Sequence, residues 1–383
     1  MIIELEGNRE DSLRKILELA EKYGNTIEKI QGRGPVDTLH VIGDPKDLAQ
    51  HTDYLETIPG VGRVWRISSS YKNIARRVSS QGQRSVNRES RVVEIPGPDG
   101  KVRRFGGENC LFIIGPDSVQ TREQVFDAGR RIAELADRLN IRDRVMLRAG
   151  AFKPRTRPTD FRGMGMDGIK LLDQVREETG LPYVSEVMDH TLVEQLAEHL
   201  DCFQIGTRNA QDFKLLETVG DTGKPVILKR GFGNDAVEWF NAAEYIANRQ
   251  NLNIMLCERG VKTMFCGKGY NRFTPDLNVL SYAQQQTVLP VIYDPSHAAG
   301  DDRLVVPNML SALPYRPAAL LVETIHQESF RSEQLCDAKQ ALAMPPLEQA
   351  IRAVLDFEEK ISPLLEKAQG YFLDRNDQMT MRS

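Results

Sequence analysis

The sequence predicts an α/β protein in which a (β/α)8 barrel, or TIM barrel, follows a small ferredoxin-like α+β domain. From Cys110 onward, eight short apolar runs alternate with helical segments. Such runs are typical of a parallel sheet buried on both faces. No G-x-G-x-x-G turn follows the first run, which disfavours a doubly wound dinucleotide-binding sheet. The predicted strands are residues 110–114, 145–147, 183–187, 202–205, 226–228, 254–257, 291–293 and 319–322.

Residues 1–68 show a different pattern, which predicts the order strand, helix, strand, strand, helix, strand. The first helix follows the cap candidates Asp11 and Ser12, because apolar residues then recur at helical spacing. This order is that of the split βαβ unit. The segment has no clustered nucleophile, base or metal ligands, so we expect a regulatory or oligomeric role. A lid over the larger domain is the alternative.

The remaining segments divide the chain by composition. Residues 69–90 are polar and basic, which predicts a linker. A hairpin around Pro-Gly-Pro-Asp-Gly, with strands at 91–95 and 101–105, opens the barrel domain and could plug its bottom. The barrel domain is predicted to span 91–365, and residues 366–383 form a polar tail.

Charge and composition exclude several classes of protein. The net charge is −4, which does not favour a nucleic-acid partner, and no apolar run is long enough to span a membrane. The five cysteines are scattered, which argues against a disulfide framework or a zinc knuckle. The first residues lack the pattern of a secretory signal, so we expect a cytoplasmic protein.

The most informative stretch, residues 148–158, follows the second barrel strand. It contains four cations in eleven residues, interleaved with Gly, Pro and Thr. Buried charges need partners or water, so this stretch cannot be a core strand and instead predicts an anion site at a strand end. A solvated basic loop is the alternative.

In a barrel the carboxyl ends of the strands converge on one rim, so residues that follow each strand are site candidates. Cations recur there, which favours a substrate with phosphate and carboxylate groups, although we expect roughly two of them to form structural salt bridges. The cations are Arg148, Lys153, Arg155, Arg208, Lys229, Arg230 and Arg259. Thr156, Glu186 and Asp294 lie among them and complete the predicted substrate-binding set.

A second group of candidates combines three carboxylates with one imidazole. Asp117, His297 and Glu323 follow the first, seventh and eighth predicted strands, and Asp337 lies in the loop beyond. Carboxylates and imidazole suit a divalent cation. Their spacing carries no metal signature, and a histidine such as His297, taken alone, is more often a satisfied polar residue or a general base than a metal ligand.

Six motifs occur in chain order, each at the carboxyl end of a predicted barrel strand. They are Arg-Ala-Gly-Ala-Phe-Lys-Pro-Arg-Thr at 148–156, Ser-Glu-Val-Met-Asp at 185–189, Gln-Ile-Gly-Thr-Arg-Asn at 204–209, Lys-Arg-Gly at 229–231, Leu-Cys-Glu-Arg-Gly at 256–260 and Asp-Pro-Ser-His-Ala at 294–298. The motifs and the N-terminal unit resemble the type I beta class of 3-deoxy-arabino-heptulosonate-7-phosphate (DAHP) synthases. The resemblance covers nearly the whole chain.

The resemblance implies that phosphoenolpyruvate condenses with erythrose 4-phosphate and releases phosphate, as the first step of the shikimate pathway to aromatic amino acids. It implies that Lys153 donates a proton to the forming alkoxide and that Lys153 and His297 are catalytic. It also implies an aromatic amino acid effector and a homo-oligomer, for which a tetramer is the expectation. The implied ligand sets are Arg208, Lys229 and Arg259 for the phosphate of phosphoenolpyruvate, Arg148 and Lys153 near its carboxylate, Arg155 and Thr156 for the aldose phosphate, and Asp117, His297, Glu323 and Asp337 for a metal.

Several residues depart from the family pattern. Asp117 stands where the family places a cysteine in Gly-Pro-Cys-Ser; a carboxylate there favours manganese or magnesium over softer ions. Metal-independent relatives in the octulosonate branch have asparagine at this position, so metal dependence is itself an open question. Arg157 and Arg162 add charge near the aldose pocket. Two alternatives therefore stay open: a related synthase that uses another aldose phosphate, and a non-catalytic protein that binds phosphometabolites.

Overall fold

The structure is a computed structural model, and it describes most of the chain. The described residues are 1–6, 9–30, 36–43, 46–65, 69–76, 90–154, 159–267, 271–333 and 335–364. Arg155 and Thr156, predicted to bind the aldose phosphate, lie outside the described residues, as do most of the predicted linker and the predicted tail. No helix in the described residues is both long and apolar enough to cross a lipid bilayer.

The N-terminal segment forms the predicted ferredoxin-like sheet. Its four strands lie in the order β2, β3, β1, β4, and every neighbouring pair is antiparallel. Ile3, Ile16, Leu39 and Leu55 are among the apolar side chains that are fully buried in a separate core of this unit. The elements are β1 Ile2–Glu6, α1 Glu10–Lys22, β2 Thr26–Ile30, β3 Val36–Ile42, α2 Lys46–Ala49, α3 Thr52–Thr57 and β4 Val61–Trp65.

Two details of this unit differ from the prediction. Helix α1 begins at Glu10, so Asp11 and Ser12 lie in its first turn and do not cap it. The reason is that both side chains have other partners: Asp11 accepts a hydrogen bond from Arg14, and Ser12 Oγ donates to the carbonyl of Pro59. The single predicted second helix is two short helices, α2 and α3.

A hairpin closes the bottom of the barrel, as the turn sequence suggested. Its strands β5 (Val93–Pro96) and β6 (Val102–Phe105) are antiparallel. Val93, Ile95 and Phe105 are buried among side chains from inside the barrel.

Within the described residues, eight parallel strands close a barrel, with β14 pairing to both β13 and β7. Each predicted apolar run lies in one of these strands, except that Cys110 precedes β7, and this agreement confirms the predicted fold class. The strands are β7 Leu111–Gly115, β8 Val145–Arg148, β9 Tyr183–Val187, β10 Cys202–Ile205, β11 Val226–Lys229, β12 Ile254–Glu258, β13 Val291–Tyr293 and β14 Ala319–Ile325, and a short β15 Leu342–Ala343 pairs with β14.

Helices cover the outside of the barrel. They are α4 Arg122–Arg138, α5 Met166–Thr179, α6 Val193–Ala197, α7 Phe213–Asp221, α8 Ala236–Ala247, α9 Asn278–Gln286, α10 Pro295–Ala299, α11 Asp302–Ser311 and α12 Met344–Lys360. Short 3-10 turns occupy Arg142–Arg144, His190–Leu192, Thr207–Asn209, Leu313–Tyr315 and Glu328–Ser332.

The strands are mostly apolar because both of their faces are buried, and their charged residues, such as Arg148 and Lys229, lie toward their carboxyl ends. Alternate side chains such as Ile113, Met146 and Ile227 fill the barrel interior. Their neighbours, such as Phe112 and Leu147, pack beneath the helices. The period of two along each strand therefore separates an inner core from an outer one and brings the inward residues of all strands to one rim.

The segment 69–76 contacts both the N-terminal sheet and the barrel. Tyr71 and Ile74 share a buried cluster with Ile2, and Lys72 Nζ donates to the carbonyl of Val41 at 2.7 Å. On the barrel side, the carboxylate of Glu244 in α8 accepts the backbone N–H of residue 73 at 2.7 Å. This segment is therefore a direct physical connection between the two parts of the chain.

Candidate active site

A cavity of about 270 Å³ opens at the rim where the strands end. Its wall combines cations, carboxylates, one imidazole and two aromatic rings. The predicted residues that line it are Lys153, Glu186, Arg208, Lys229, Arg259, His297 and Asp337, and the wall also includes Phe232, Arg272 and Phe273.

Four side chains of the kinds that bind metal ions lie together beside this cavity, and we call them the metal-type cluster. Asp117, His297, Glu323 and Asp337 each offer one ligand atom, and these atoms all lie within 4.8 Å of one another. His297 Nε2 is 3.2 Å from Glu323 Oε1 and 3.8 Å from Asp337 Oδ2. The fold thus joins residues that are up to 220 positions apart in sequence, from Asp117 to Asp337.

Two buried cations contact the same carboxylates. Lys153 Nζ lies 2.6 Å from Asp117 Oδ1. Arg148 Nη1 lies 2.6 Å from Glu323 Oε1, and its Nη2 lies 3.5 Å from Asp117 Oδ1. Arg148 is outside the set that lines the cavity, so in this state it balances the charge of the cluster.

Burial and neighbouring charges divide the acids into two protonation classes. Although burial opposes ionisation, Lys153 and Arg148 hold the pKa of Asp117 well below its usual range. Burial, together with the negative charge of Asp117, raises the pKa of Glu323 to about 8. One carboxyl of the pair is therefore ionised and the other carries a proton near neutral pH in the metal-free protein.

His297 is neutral in this structure. Burial lowers the pKa of His297 to about 3, so the imidazole carries no charge at neutral pH. Its Nδ1 lies 2.7 Å from Asp294 Oδ2, in close contact but without hydrogen-bond geometry, and its Nε2 faces Glu323 and Asp337. The same oxygen of Asp294 lies 2.7 Å from Lys229 Nζ.

Asp294 is therefore placed to orient two site residues. Its other oxygen accepts the backbone N–H of His297 at 3.0 Å and caps the N-terminus of α10. Glu186 lies on the opposite part of the wall, where Gln204 donates to its Oε2 at 3.3 Å.

Arg259 presents open hydrogen-bond donors to the cavity. Its side chain is 3% exposed, and Nε and Nη1 have no hydrogen-bond partner among the described residues. The guanidinium lies 3.9 Å from the centre of the Phe273 ring and 5.6 Å from that of Phe232. Burial lowers the pKa of Arg259 to about 10, so it stays charged at neutral pH. A buried charge with unused donors calls for an anionic ligand.

Arg208 approaches the same aromatic wall. Its guanidinium carbon lies 5.6 Å from the centre of the Phe232 ring, and the residue lines the cavity. With Lys229 and Arg259 it forms a concentrated positive region.

The structure does not bring Arg230 to this cavity. Its guanidinium contacts Glu258 at 3.1 Å and Asp276 at 2.8 Å, on the outer side of the sheet. Strand register explains the difference from Arg259. Lys229 pairs with Cys257, which faces the barrel interior, so Arg259, two residues further on, points inward, whereas Arg230 alternates outward.

The sequence pattern does not indicate that Phe232, Phe273, Arg272 or Gln340 lie at the site. The one signal for Phe232 is its position shortly after Lys229, the last residue of β11. Residues 272 and 273 lie fourteen and fifteen positions beyond Glu258, the end of β12, within a long loop. No periodicity marks such positions, because only the folded loop returns them to the rim.

The cluster fits a divalent cation on two observations. Its donors are three carboxylates and one neutral imidazole, the set that harder divalent ions accept. Asp117 Oδ2 is buried and has no N–H donor among the described residues, so in the metal-free protein only the protonated carboxyl of Glu323 is available to it. A bound cation would satisfy that oxygen.

Comparison with known proteins agrees with this architecture. A phospho-2-dehydro-3-deoxyheptonate aldolase from Thermotoga maritima is 34% identical over 343 residues, which span 89% of this chain and 93% of that protein. A crystal structure of the DAHP synthase from Thermotoga maritima aligns with a TM-score of 0.67 and 31% identity, over 95% of this chain and 98% of that one.

A more distant relative belongs to the octulosonate branch. A 2-dehydro-3-deoxyphosphooctonate aldolase from Syntrophotalea carbinolica is 30% identical over 264 residues, 66% of this chain and 92% of that protein. The sequence profile of the DAHP synthetase I family matches residues 85–362, which include the whole barrel. This chain therefore belongs to the DAHP synthetase I family.

Proposed function

We propose that this protein condenses phosphoenolpyruvate with erythrose 4-phosphate to give DAHP and inorganic phosphate. The observation that carries the proposal is one cavity in which open cationic donors stand beside a metal-type cluster and a buried lysine. Two anionic substrates repel each other, and a positive wall offsets that repulsion while holding them in one orientation.

The phosphate of phosphoenolpyruvate binds Arg208, Lys229 and Arg259. The support is the unused donors of Arg259 and the position of all three residues on the cavity wall. The aromatic rings that flank Arg259 restrict its guanidinium to one plane, so little freedom is lost when the anion binds. The carboxylate of phosphoenolpyruvate lies toward Lys153.

Lys153 supplies the proton for the alkoxide that forms at the former aldehyde oxygen. Although burial opposes its charge, Asp117 and Glu186 raise the pKa of Lys153, so the ammonium is fully protonated before reaction. C3 of phosphoenolpyruvate forms the new C–C bond to the aldehyde carbon, which leaves C2 electron-poor. Water then adds at C2 and gives one proton to the neutral amine of Lys153. The C2–O bond to phosphate breaks, the remaining hydroxyl proton goes to the departing phosphate, and C2 becomes a ketone. Asp294 keeps His297 and Lys229 in place during these steps.

Asp117, His297, Glu323 and Asp337 would hold a divalent cation, manganese or magnesium in preference to zinc, because Asp117 gives an oxygen donor where sulfur is usual. The chemistry supplied by such a cation would be Lewis-acid polarisation of the aldehyde carbonyl.

The N-terminal unit, residues 1–68, acts as a regulatory domain for an aromatic amino acid, in a homo-oligomer that we expect to be a tetramer. Its physical link to the barrel through residues 69–76 gives a route by which an effector could act.

The test is phosphate release by the purified protein with phosphoenolpyruvate and a panel of phosphorylated and unphosphorylated aldoses. We expect release that requires both phosphoenolpyruvate and erythrose 4-phosphate and stops in strong chelator. Phosphate release with a different aldose, but not with erythrose 4-phosphate, would show that the different aldose is the acceptor. Tight binding of phosphoenolpyruvate without turnover on any aldose would show a non-catalytic protein.

A further inference from the structure

Arg272 and Gln340 join two carboxylates of the metal-type cluster. Arg272 Nη1 lies 3.0 Å from Asp337 Oδ1 and 2.9 Å from Gln340 Oε1. Gln340 Nε2 lies 2.5 Å from Glu323 Oε2. A continuous series of three hydrogen bonds therefore runs from Asp337 through Arg272 and Gln340 to Glu323.

The chemistry of the groups fixes the direction of this series. A guanidinium can only donate, so the oxygen of the Gln340 amide must face Arg272. The amide nitrogen then faces Glu323 and donates to it. Gln340 is 2% exposed and lies outside the set that lines the cavity, so its contact with Glu323 is an interior one.

The backbone of Arg272 is tied to a third member of the cluster. Its N–H donates to the carbonyl of Ala299 at 3.1 Å, and the next residue donates to Ala298 at 3.0 Å. Both acceptors belong to α10, the helix that carries His297. The loop that bears Arg272 is thus fixed to one ligand by its backbone and to another by its side chain.

Asp337 has particular need of such support. It lies in the loop between β14 and β15 and has a φ of +48°, a left-handed conformation that residues other than glycine adopt infrequently. The local backbone preference of an aspartate alone would not hold the Asp337 carboxylate toward His297. The hydrogen bond from Arg272 supplies a fixed partner for it.

We propose that Arg272 and Gln340 are positioning residues that hold Asp337 and Glu323 in a cation-binding arrangement and thereby set the affinity for the divalent ion. The proposal rests on the function proposed above. Partners of this kind orient ligands without touching the ion, and their loss typically weakens metal binding by about 10- to 100-fold.

The test measures Mn²⁺ binding to metal-stripped protein by electron paramagnetic resonance, independently of turnover. We expect Arg272→Met and Gln340→Leu each to raise the Mn²⁺ dissociation constant by about 10- to 100-fold. Because both residues belong to one series, the double variant should lose less than the product of the single losses. Arg272→Lys should recover part of the affinity, since it keeps the charge but not the planar fork.

A matched control is Arg249→Met, which removes an arginine that, like Arg272, donates to an aspartate carboxylate; its partner is Asp221, on the surface. Its Mn²⁺ affinity should equal that of the wild type. Circular dichroism of each metal-free variant reports folding, and kcat at saturating Mn²⁺ should stay near wild type in Arg249→Met.

Each other result has a defined meaning. Wild-type protein that does not bind Mn²⁺ would overturn the proposed metal site itself. Folded Arg272→Met and Gln340→Leu variants with wild-type affinity would overturn the positioning role alone. A higher KM for phosphoenolpyruvate with unchanged Mn²⁺ affinity in Arg272→Met would make Arg272 a substrate ligand and also overturn the proposal.

Discussion

Lys153 Nζ lies 2.6 Å from Asp117 Oδ1, and both side chains are buried. The ammonium therefore occupies the position of a counter-charge to a carboxylate that also belongs to the metal-type cluster. A divalent cation at Asp117 and the ammonium of Lys153 are alternative neutralisers of the same charge. Cation binding should consequently release Lys153 toward the cavity, where the proposed reaction needs it.

Lys153→Met should separate these two roles. We expect kcat to fall by roughly 10²- to 10⁴-fold, the usual contribution of a positioned proton donor. Mn²⁺ affinity should be equal to or tighter than that of the wild type, because a competing cation is gone. Steady-state kinetics and Mn²⁺ titration measure the two effects. The control is Lys170→Met, an exposed lysine 3.6 Å from Asp167; weaker Mn²⁺ binding in Lys153→Met would contradict the competition.

Asp117→Cys should change the metal preference. A thiolate is softer than a carboxylate, so activity of the stripped variant should shift from manganese and magnesium toward zinc and cadmium. Asp117→Asn should bind all of them more weakly, since a neutral amide replaces a charge. Relative rates with each ion are the measurement. A wild-type protein that works best with zinc would refute the oxygen-site prediction, and a large gain in turnover for Asp117→Cys would indicate a decayed site.

Replacement by methionine should lower catalytic efficiency at Arg259 and protein stability at Arg230. Hydrogen bonds to charged groups contribute about 1.5–3 kcal/mol, so Arg259→Met should lower kcat/KM for phosphoenolpyruvate by about 10- to 150-fold. The stability of this variant should be nearly unchanged, because Nε and Nη1 of Arg259 make no hydrogen bond that the substitution would remove. Arg230→Met leaves Glu258, which is 0% exposed, without its buried counter-charge and should lower the free energy of unfolding by about 3–5 kcal/mol. Denaturant titration measures the free energy of unfolding of each variant, and kinetics measure its kcat/KM. Equal changes of both quantities in the two variants would contradict a substrate-binding role for Arg259 and a structural role for Arg230.

Glu323 should make the metal-free protein less stable as pH rises. Its pKa is raised from the ordinary 4.5 to about 8, so the folded state holds a proton that the unfolded state has released. The resulting stabilisation is complete below about pH 4.5 and is lost as pH rises to about 8, an effect on the order of a few kcal/mol. Chemical unfolding in chelator at pH 5 to 8 should show a larger loss in wild type than in Glu323→Gln. Parallel curves would count against the raised pKa.

Deletion of residues 1–68 should remove regulation and keep catalysis. The described residues of the cavity all lie in the barrel, so phosphate release should continue. The response to tyrosine or phenylalanine should disappear. Kinetics with and without each amino acid, and circular dichroism of the shortened chain, are the measurements. As a milder variant, Lys72→Met removes the 2.7 Å contact with Val41 while keeping the domain. An unchanged response in the shortened chain would show that the domain is not regulatory.

The sequence alone was sufficient for the barrel and for most of the site candidates. Apolar runs buried on both faces and helices between them define a closed parallel sheet, and the rule that strand ends share a rim selected Asp117, His297 and Glu323. The fold prediction is confirmed because it needs only local pattern, and the site residues stay predictions. Strand alternation would also have separated Arg230 from Lys229, had it been applied past the strand ends.

What the tertiary structure decided is which charged groups become partners. Arg230 and Arg259 each follow a strand directly, yet register turns one toward Glu258 and the other toward the cavity. Arg272 and Gln340 carry no local signal, because a long loop and a turn bring them to the cluster from distant parts of the chain. Sequence pattern reports the environment of each residue along its own strand or helix, whereas the pairing of buried charges depends on distances that exist only after the barrel closes.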